Sequence, residues 1–161
     1  NVDRLCNFEV GDIREKINGL AGYDIIRLGA IGPVFGDYYT TFTTLSKCLS
    51  KNGFFIIDDG YIDDNSSFTH PLIFKKNIIL RQIDLEGMVL AENDIIQSEE
   101  IKESDDYIFE NLKKRCYELI ERHPDKKNLF HDYIKKQEYE NDVLENKIIG
   151  TTLIIKKKAM L

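Results

Sequence analysis

The 161 residues carry 22 Lys and Arg against 28 Asp and Glu, a formal net charge of -6, and 42% of them are hydrophobic. That is enough apolar material for one core and excludes disorder as the main state. The acidic balance supplies no general cationic field for a phosphate backbone, so nucleic acid is not expected as a partner. Cys6, Cys48 and Cys116 form no CxxC pair and leave one thiol over, the pattern of reduced thiols in a cytoplasmic protein. The longest apolar runs, such as residues 53–57, fall far short of the roughly 20 needed to span a bilayer, so no membrane partner is expected.

Residues 5–10 (LCNFEV) alternate apolar and polar positions and stop at Gly11-Asp12, which predicts a short strand entering a turn. A brief helix or loop follows to Leu20. Residues 23–31 (YDIIRLGAI) have a β-branched centre and end in Gly32-Pro33, a pair that breaks a ladder and predicts a strand with a special loop after it. In residues 38–49 the spacing of Phe42, Leu45 and Leu49 predicts a helix, with Asn52-Gly53 as its left-handed cap. Residues 54–57 (FFII) run without a polar break into Asp58-Asp59-Gly60, as a strand buried on both faces does in a parallel sheet. Strand, helix and strand make a right-handed βαβ unit, so the class is α/β.

His70-Pro71 is read as opening a second helix, with Ile73, Phe74, Ile78, Ile79 and Ile83 on one face and Glu86-Gly87 closing it. Residues 88–96 read as a strand and residues 151–155 (TTLII) as the last one. Between them, 16 acidic and 9 basic residues lie from Glu92 to Glu145 in a strongly helical insertion, placed at residues 98–146. Ile108, Leu112, Cys116 and Leu119 predict one stripe; Leu129, Phe130, Tyr133, Ile134, Gln137, Asn141 and Leu144 predict a second. Pro124 separates them, because proline cannot continue a helix from the preceding turn, and a helical hairpin is expected.

The order of these elements resembles the C-terminal two-thirds of a class I S-adenosylmethionine-dependent methyltransferase. Residues 8–12 (FEVGD) look like that family's third strand and its Asp loop, and residues 23–30 (YDIIRLGA) like its fourth strand. Residues 49–59 are similar to the family's entry into the fifth strand, with Asn52 in place of a glycine, and residues 151–158 resemble the antiparallel seventh. The resemblance implies a partial Rossmann-like sheet in a single domain over residues 1–161. It has no counterpart here to the family's glycine-rich loop after the first strand or to the acidic residue ending the second. Two strands that separate the third from the fourth in the family are thus missing, and Asn1 in place of Met fits a chain that begins inside a longer protein.

What the resemblance implies for chemistry is methyl transfer from S-adenosylmethionine to a small-molecule acceptor. Asp12, with Ile13 beside it, maps onto the adenine site, since a carboxylate accepts the hydrogens of an exocyclic amine. Gly29, Ala30 and Ile31 map onto the loop where small residues admit the donor. Gly32, Pro33 and Asp37 map onto the acceptor loop, with Tyr61 and His70 expected on the substrate side. Asp59 is the candidate base, although methyl transfer depends more on alignment than on acid–base groups. Asp58-Asp59 is similar to the strand end of cation-dependent O-methyltransferases, but Gly29 stands where their further metal carboxylate would be, so no metal is expected. Tyr107, Tyr117, Tyr133 and Tyr139 of the insertion are expected to form a lid or a homodimer surface. A non-catalytic binding or assembly module on the same core is the alternative. A nicotinamide-dependent oxidoreductase fits less well, for want of a GxGxxG stretch and because of the antiparallel terminal strand.

Overall fold

A computed structural model describes residues 3–158; Asn1 lies outside them. Four strands form one mixed sheet in the order β1-β2-β4-β3, with β1 (Tyr23–Gly29), β2 (Leu49–Tyr61), β3 (Met88–Ile95) and β4 (Ile149–Lys157). The first pair is parallel, while β4 runs antiparallel to both of its neighbours. The class is α/β, with the antiparallel last strand inserted between β2 and β3.

The parallel pair needs a crossover, and α2 (Tyr38–Leu45), numbered after the single turn α1 (Ile13–Lys16), supplies it. Phe42 of α2 is fully buried against Phe55 of β2, their rings 5.1 Å apart and tilted by 58°. The same sheet face holds Ile57, Leu153 and Ile155, and α3 (Lys76–Leu85) closes it with Ile79 and Ile83. On the opposite face Phe54, Ile56 and Ile154 are only half-buried, and Ile25 on the edge strand is 51% exposed. One face of the sheet therefore carries the core.

Three expectations are corrected. Residues 5–10 form no strand: Asp3–Leu5 is a 3-10 turn, and Phe8 and Val10 are almost fully exposed. Alternation makes a strand only where a neighbour completes the ladder, and none of the four strands pairs with this segment. Asn52-Gly53 is not a helix cap. The helix ends at Leu45 in a 3-10 turn, Ser46–Cys48, and β2 has begun by Leu49. Gly53 is buried where the ladder skips from Tyr23↔Leu49 to Ile25↔Phe54, and a Cβ there would lie 2.7 Å from the Tyr23 carbonyl oxygen. Finally, α3 starts at Lys76 rather than at His70. Asp64 supplies the acceptor that the helix start needs, taking the Asn77 N–H at 2.9 Å, and the His70 segment is left as loop.

The helical insertion is α4 (Ser98–Arg122) and α5 (Lys127–Lys147), joined through a 3-10 turn at Pro124–Lys126. Its inner stripes differ from the expected ones by a fraction of a turn. Ile108, Leu129 and Tyr133 face outward, whereas Phe109 is half-buried and Cys116 and Ile134 are buried. Val143 and Ile148 bury themselves with Ile62 against Phe68 and Ile73, which ties the base of the hairpin to the 62–75 loop. That loop is pinned in turn by Lys75, whose ammonium donates to the carbonyls of Asp64 and Ser66 at 3.1 and 2.8 Å.

Because backbone rather than a movable side chain opposes a Cβ at position 53, Gly53→Ala is expected to destabilise the fold by about 1 to 3 kcal/mol in urea denaturation. Gly19→Ala, where nothing lies within 4 Å, is expected to stay within about 0.5 kcal/mol of the parent.

Candidate functional site

In open α/β sheets ligands bind beyond the carboxyl ends of the strands, where loops diverge. Here that place is a cavity of about 590 Å³. Its floor is the end of β1 and β2, with Leu28, Ile57, Asp58, Asp59 and Gly60. One wall is the turn after β1, formed by Ala30, Ile31, Gly32 and Pro33, and another is His70, Leu72 and Phe74 from the pinned loop. The roof is the hairpin, through Ile101 and Asp105 of α4 and Leu144 of α5.

The turn after β1 is built for close approach. Ala30 adopts a positive φ of 49° and Gly32 one of 63°, so the chain reverses sharply with almost no side-chain bulk at the rim. The Ala30 N–H donates to the Asp58 carbonyl at 2.9 Å, so the turn is fastened to the end of β2. Gly29 pairs with Asp58 in register and sits just before this turn.

The two aspartates ending β2 point to opposite sides of the sheet. Asp58 accepts from the Arg27 guanidinium at 2.7 and 3.1 Å and from the Thr152 hydroxyl at 2.8 Å, and these bonds hold its carboxyl below the ordinary range. It is committed to joining β1, β2 and β4. Asp59 accepts from the Tyr38 hydroxyl at 2.7 Å through Oδ2 and from the Gly60 N–H through Oδ1. Burial, with the Asp59 charge adding to it, pushes the Tyr38 phenol well above its usual range, so it stays a donor. Asp59 is thereby a held carboxylate on the cavity floor.

Of the residues expected at a site, Ala30, Ile31, Gly32, Pro33, Asp59 and His70 are brought together around this one cavity, with Gly29 at its edge. The others lie apart from its lining. Asp37 caps α2, accepting from the Thr40 N–H at 2.8 Å, and also receives the Gln82 amide. Tyr61 is 3% exposed, with the Lys76 ammonium 5.2 Å over its ring. Asp12 caps α1 and is gripped by the Arg14 guanidinium, which lowers its carboxyl to about 2; Ile13 is an exposed residue of the same turn. Tyr107, Tyr117, Tyr133 and Tyr139 all point outward, so none of them roofs the cavity.

Sequence reasoning missed Tyr38, Ile101, Asp105 and Leu144. The signal for Asp105 was present: counted from Ile101 it falls one helical turn on, followed by Phe109, Leu112 and Cys116 at spacings of four, three and four. A carboxylate therefore occupies a packed-stripe position. Its Oδ2 is shielded from water with no hydrogen-bond partner, and burial, reinforced by the neighbouring Glu145 and Asp106 charges, raises its pKa. Among the described residues no group of three or more His, Cys, Asp and Glu side chains is arranged to hold a metal.

No protein-family model and no curated protein matches this sequence. Solved structures do match in fold. A SAM-dependent methyltransferase from Geobacter sulfurreducens, crystallised with S-adenosyl-L-homocysteine, has a TM-score of 0.69 at 11% identity, over 94% of this chain and 64% of that one. A cyclopropane synthase from Mycobacterium tuberculosis has 0.68 at 14%, over 85% of this chain and 56% of that one. A putative sarcosine dimethylglycine methyltransferase from Galdieria sulphuraria has 0.67 at 14%, over 87% and 54%. The fold is thus that of the class I S-adenosylmethionine-dependent methyltransferases, present in part, and the chain spans less than two thirds of the length of the structures it matches.

Two outcomes follow from the carboxylate environments. Tyr38→Phe keeps the ring and removes the hydroxyl, and is expected to cost about 1 to 2 kcal/mol in urea denaturation. The depressed Asp58 contributes stability that is complete above the ordinary aspartate range and is lost as pH falls through its folded value. Arg27→Met is therefore expected to destabilise the protein more at about pH 7 than at a pH below the folded Asp58 value, where the carboxyl is protonated with or without its partner.

Proposed function

We propose that this chain forms the acceptor-side part of an S-adenosylmethionine-dependent methyltransferase acting on a small molecule. The observation that carries the reading is the convergence of the small-residue turn, the held Asp59 carboxylate and the helical roof on one cavity at the carboxyl end of a sheet with this fold. The neighbour from Geobacter sulfurreducens was crystallised with S-adenosyl-L-homocysteine, and the fit of the rim here agrees with such a ligand: Ala30 and Gly32 leave backbone exposed where a nucleoside edge would lie.

When bound, the donor supplies an activated methyl group on a sulfonium. In this reading Gly29, Ala30 and Ile31 hold it from below, and Asp12 with Ile13 meets the adenine. Asp12 then exchanges Arg14 for the base, a small change for a pair this exposed. Gly32, Pro33 and His70 flank the acceptor. Asp59, fixed by Tyr38, accepts the proton that a hydroxyl or amine acceptor releases as it gains the methyl. The apolar walls exclude water, which matters because alignment of acceptor, methyl and sulfur supplies most of the rate.

Calorimetric titration with S-adenosyl-L-homocysteine is the test. Saturable one-to-one binding with Kd below about 1 mM, a free energy of about -4 kcal/mol or better, is expected for the chain, tightening in any longer form that includes it. Ile31→Asp, an exposed rim substitution, is expected to weaken it about tenfold or more. Absence of binding by both forms would leave the non-catalytic module as the reading.

A further inference from the structure

The Asp59 carboxylate is oriented from a distance. Its Oδ1 accepts from the N–H of Gly60, its own chain neighbour, a contact about which the group can still swing; the second point of attachment is the Tyr38 hydroxyl on Oδ2 at 2.7 Å. What that second point can do depends on where Tyr38 stands. Tyr38 is the first residue of α2, and the first N–H groups of a helix find no partner within it.

Gln82 of α3 supplies the partner. Its Oε1 accepts the Tyr38 N–H at 3.0 Å and its Nε2 donates to Oδ2 of Asp37 at 3.2 Å, while Oδ1 of Asp37 accepts the Thr40 N–H at 2.8 Å. One side-chain amide thus grips both residues at the start of α2. The task needs an acceptor and a donor on the same short group, and an ionised Glu has no donor while Lys and Arg have no acceptor. Gln82 is half-buried and is not among the residues lining the cavity. The chain of bonds therefore runs from α3, through the backbone and ring of Tyr38, to the cavity floor.

We propose that Gln82 is a positioning residue for Asp59: by holding the start of α2 through the Tyr38 N–H and Asp37, it fixes the hydroxyl that orients the carboxylate. A group that must meet a reacting atom has to be held to within about 0.5 Å, and a ring anchored at its backbone and at its far end meets that demand. The importance of the orientation rests on the reading of Asp59 as the base; the chain of bonds does not. Asp37, expected at the acceptor loop, acts here as the second half of the clamp.

The test is carboxyl-carbon NMR on the 161-residue chain near neutral pH, with the Asp59 resonance assigned through Asp59→Asn. Tyr38→Phe is expected to displace that resonance. Gln82→Met, which keeps the side-chain volume and removes both bonds, is expected to displace it in the same direction by at least about half as much. In the Tyr38→Phe background Gln82→Met is expected to add almost nothing, because groups that act through one another are not additive. Asp37→Asn keeps an acceptor for the Thr40 N–H but turns an amide toward Gln82, so a smaller displacement of the same sign is expected from a variant whose helix cap is intact. Thr43→Val removes the other side-chain bond between α2 and α3, from the Thr43 hydroxyl to Glu86 at 2.9 Å, and is expected to leave the resonance in place. A resonance unmoved by Tyr38→Phe, or unmoved by both Gln82→Met and Asp37→Asn, would overturn the proposal. So would an undiminished Gln82→Met effect in the Tyr38→Phe background, or a Thr43→Val effect as large as that of Gln82→Met. Titration of the parent with S-adenosyl-L-homocysteine separates the two readings. Coupled displacement without nucleoside binding retains Gln82 as the residue that positions Asp59 and removes methyl transfer; nucleoside binding with an unmoved resonance does the reverse.

Discussion

The structure depends on β2 being paired on both sides, parallel to β1 and antiparallel to β4. From Phe54 to Asp58 the strand has a neighbour on each side, and Asp59 to Tyr61 stay paired with β4, so its carboxyl end is a held platform. Asp58, Asp59 and Gly60 sit on that platform, and the turn after β1 is tied to it through the Ala30 N–H. The hairpin joins from the far side, because β4, which follows α5, lies directly against β2. Three segments distant in sequence thus meet within one cavity.

The same pairing divides labour between two adjacent aspartates. Side chains alternate across a strand, so Asp58 and Asp59 face opposite sides. Asp58 is drawn into the Arg27 and Thr152 bonds and stitches three strands together, while Asp59 is positioned by a buried tyrosine hydroxyl from the crossover helix. Both are held in place, one for the sheet and one for the space above it. The hairpin adds a third carboxylate, Asp105, whose Oδ2 is buried without a hydrogen-bond partner.

Two parts of the sheet are uncovered among the described residues. The outer edge of β1 has no partner among the described strands, and the sheet face bearing Ile25, Phe54 and Ile56 lacks a full helical cover. Structures of this fold that match the chain are longer, and it accounts for 64% of the Geobacter protein and 56% of the mycobacterial one. An edge strand and a half-buried apolar face are costly to leave exposed.

The sequence by itself determined the α/β class, the crossover, the apolar strand running into Asp58-Asp59, the hairpin with its proline break and the small-residue turn after β1, but not that only the Phe55 and Ile57 side of that strand is buried. These are local patterns, set by periodicity and by residues with restricted backbone choices, and they are readable without knowing what lies nearby. Tertiary structure alone decided the rest. Alternation at residues 5–10 makes no strand because no neighbour offers a ladder; Gly53 sits inside a strand because a backbone carbonyl passes close to it; α3 waits for Asp64 before it starts. The roof of the cavity was hidden for the same reason. That Asp105 faces the ends of β1 and β2 depends on where β4 inserts, and strand insertion is governed by pairing between residues almost a hundred positions apart, as at Asp58 and Thr152.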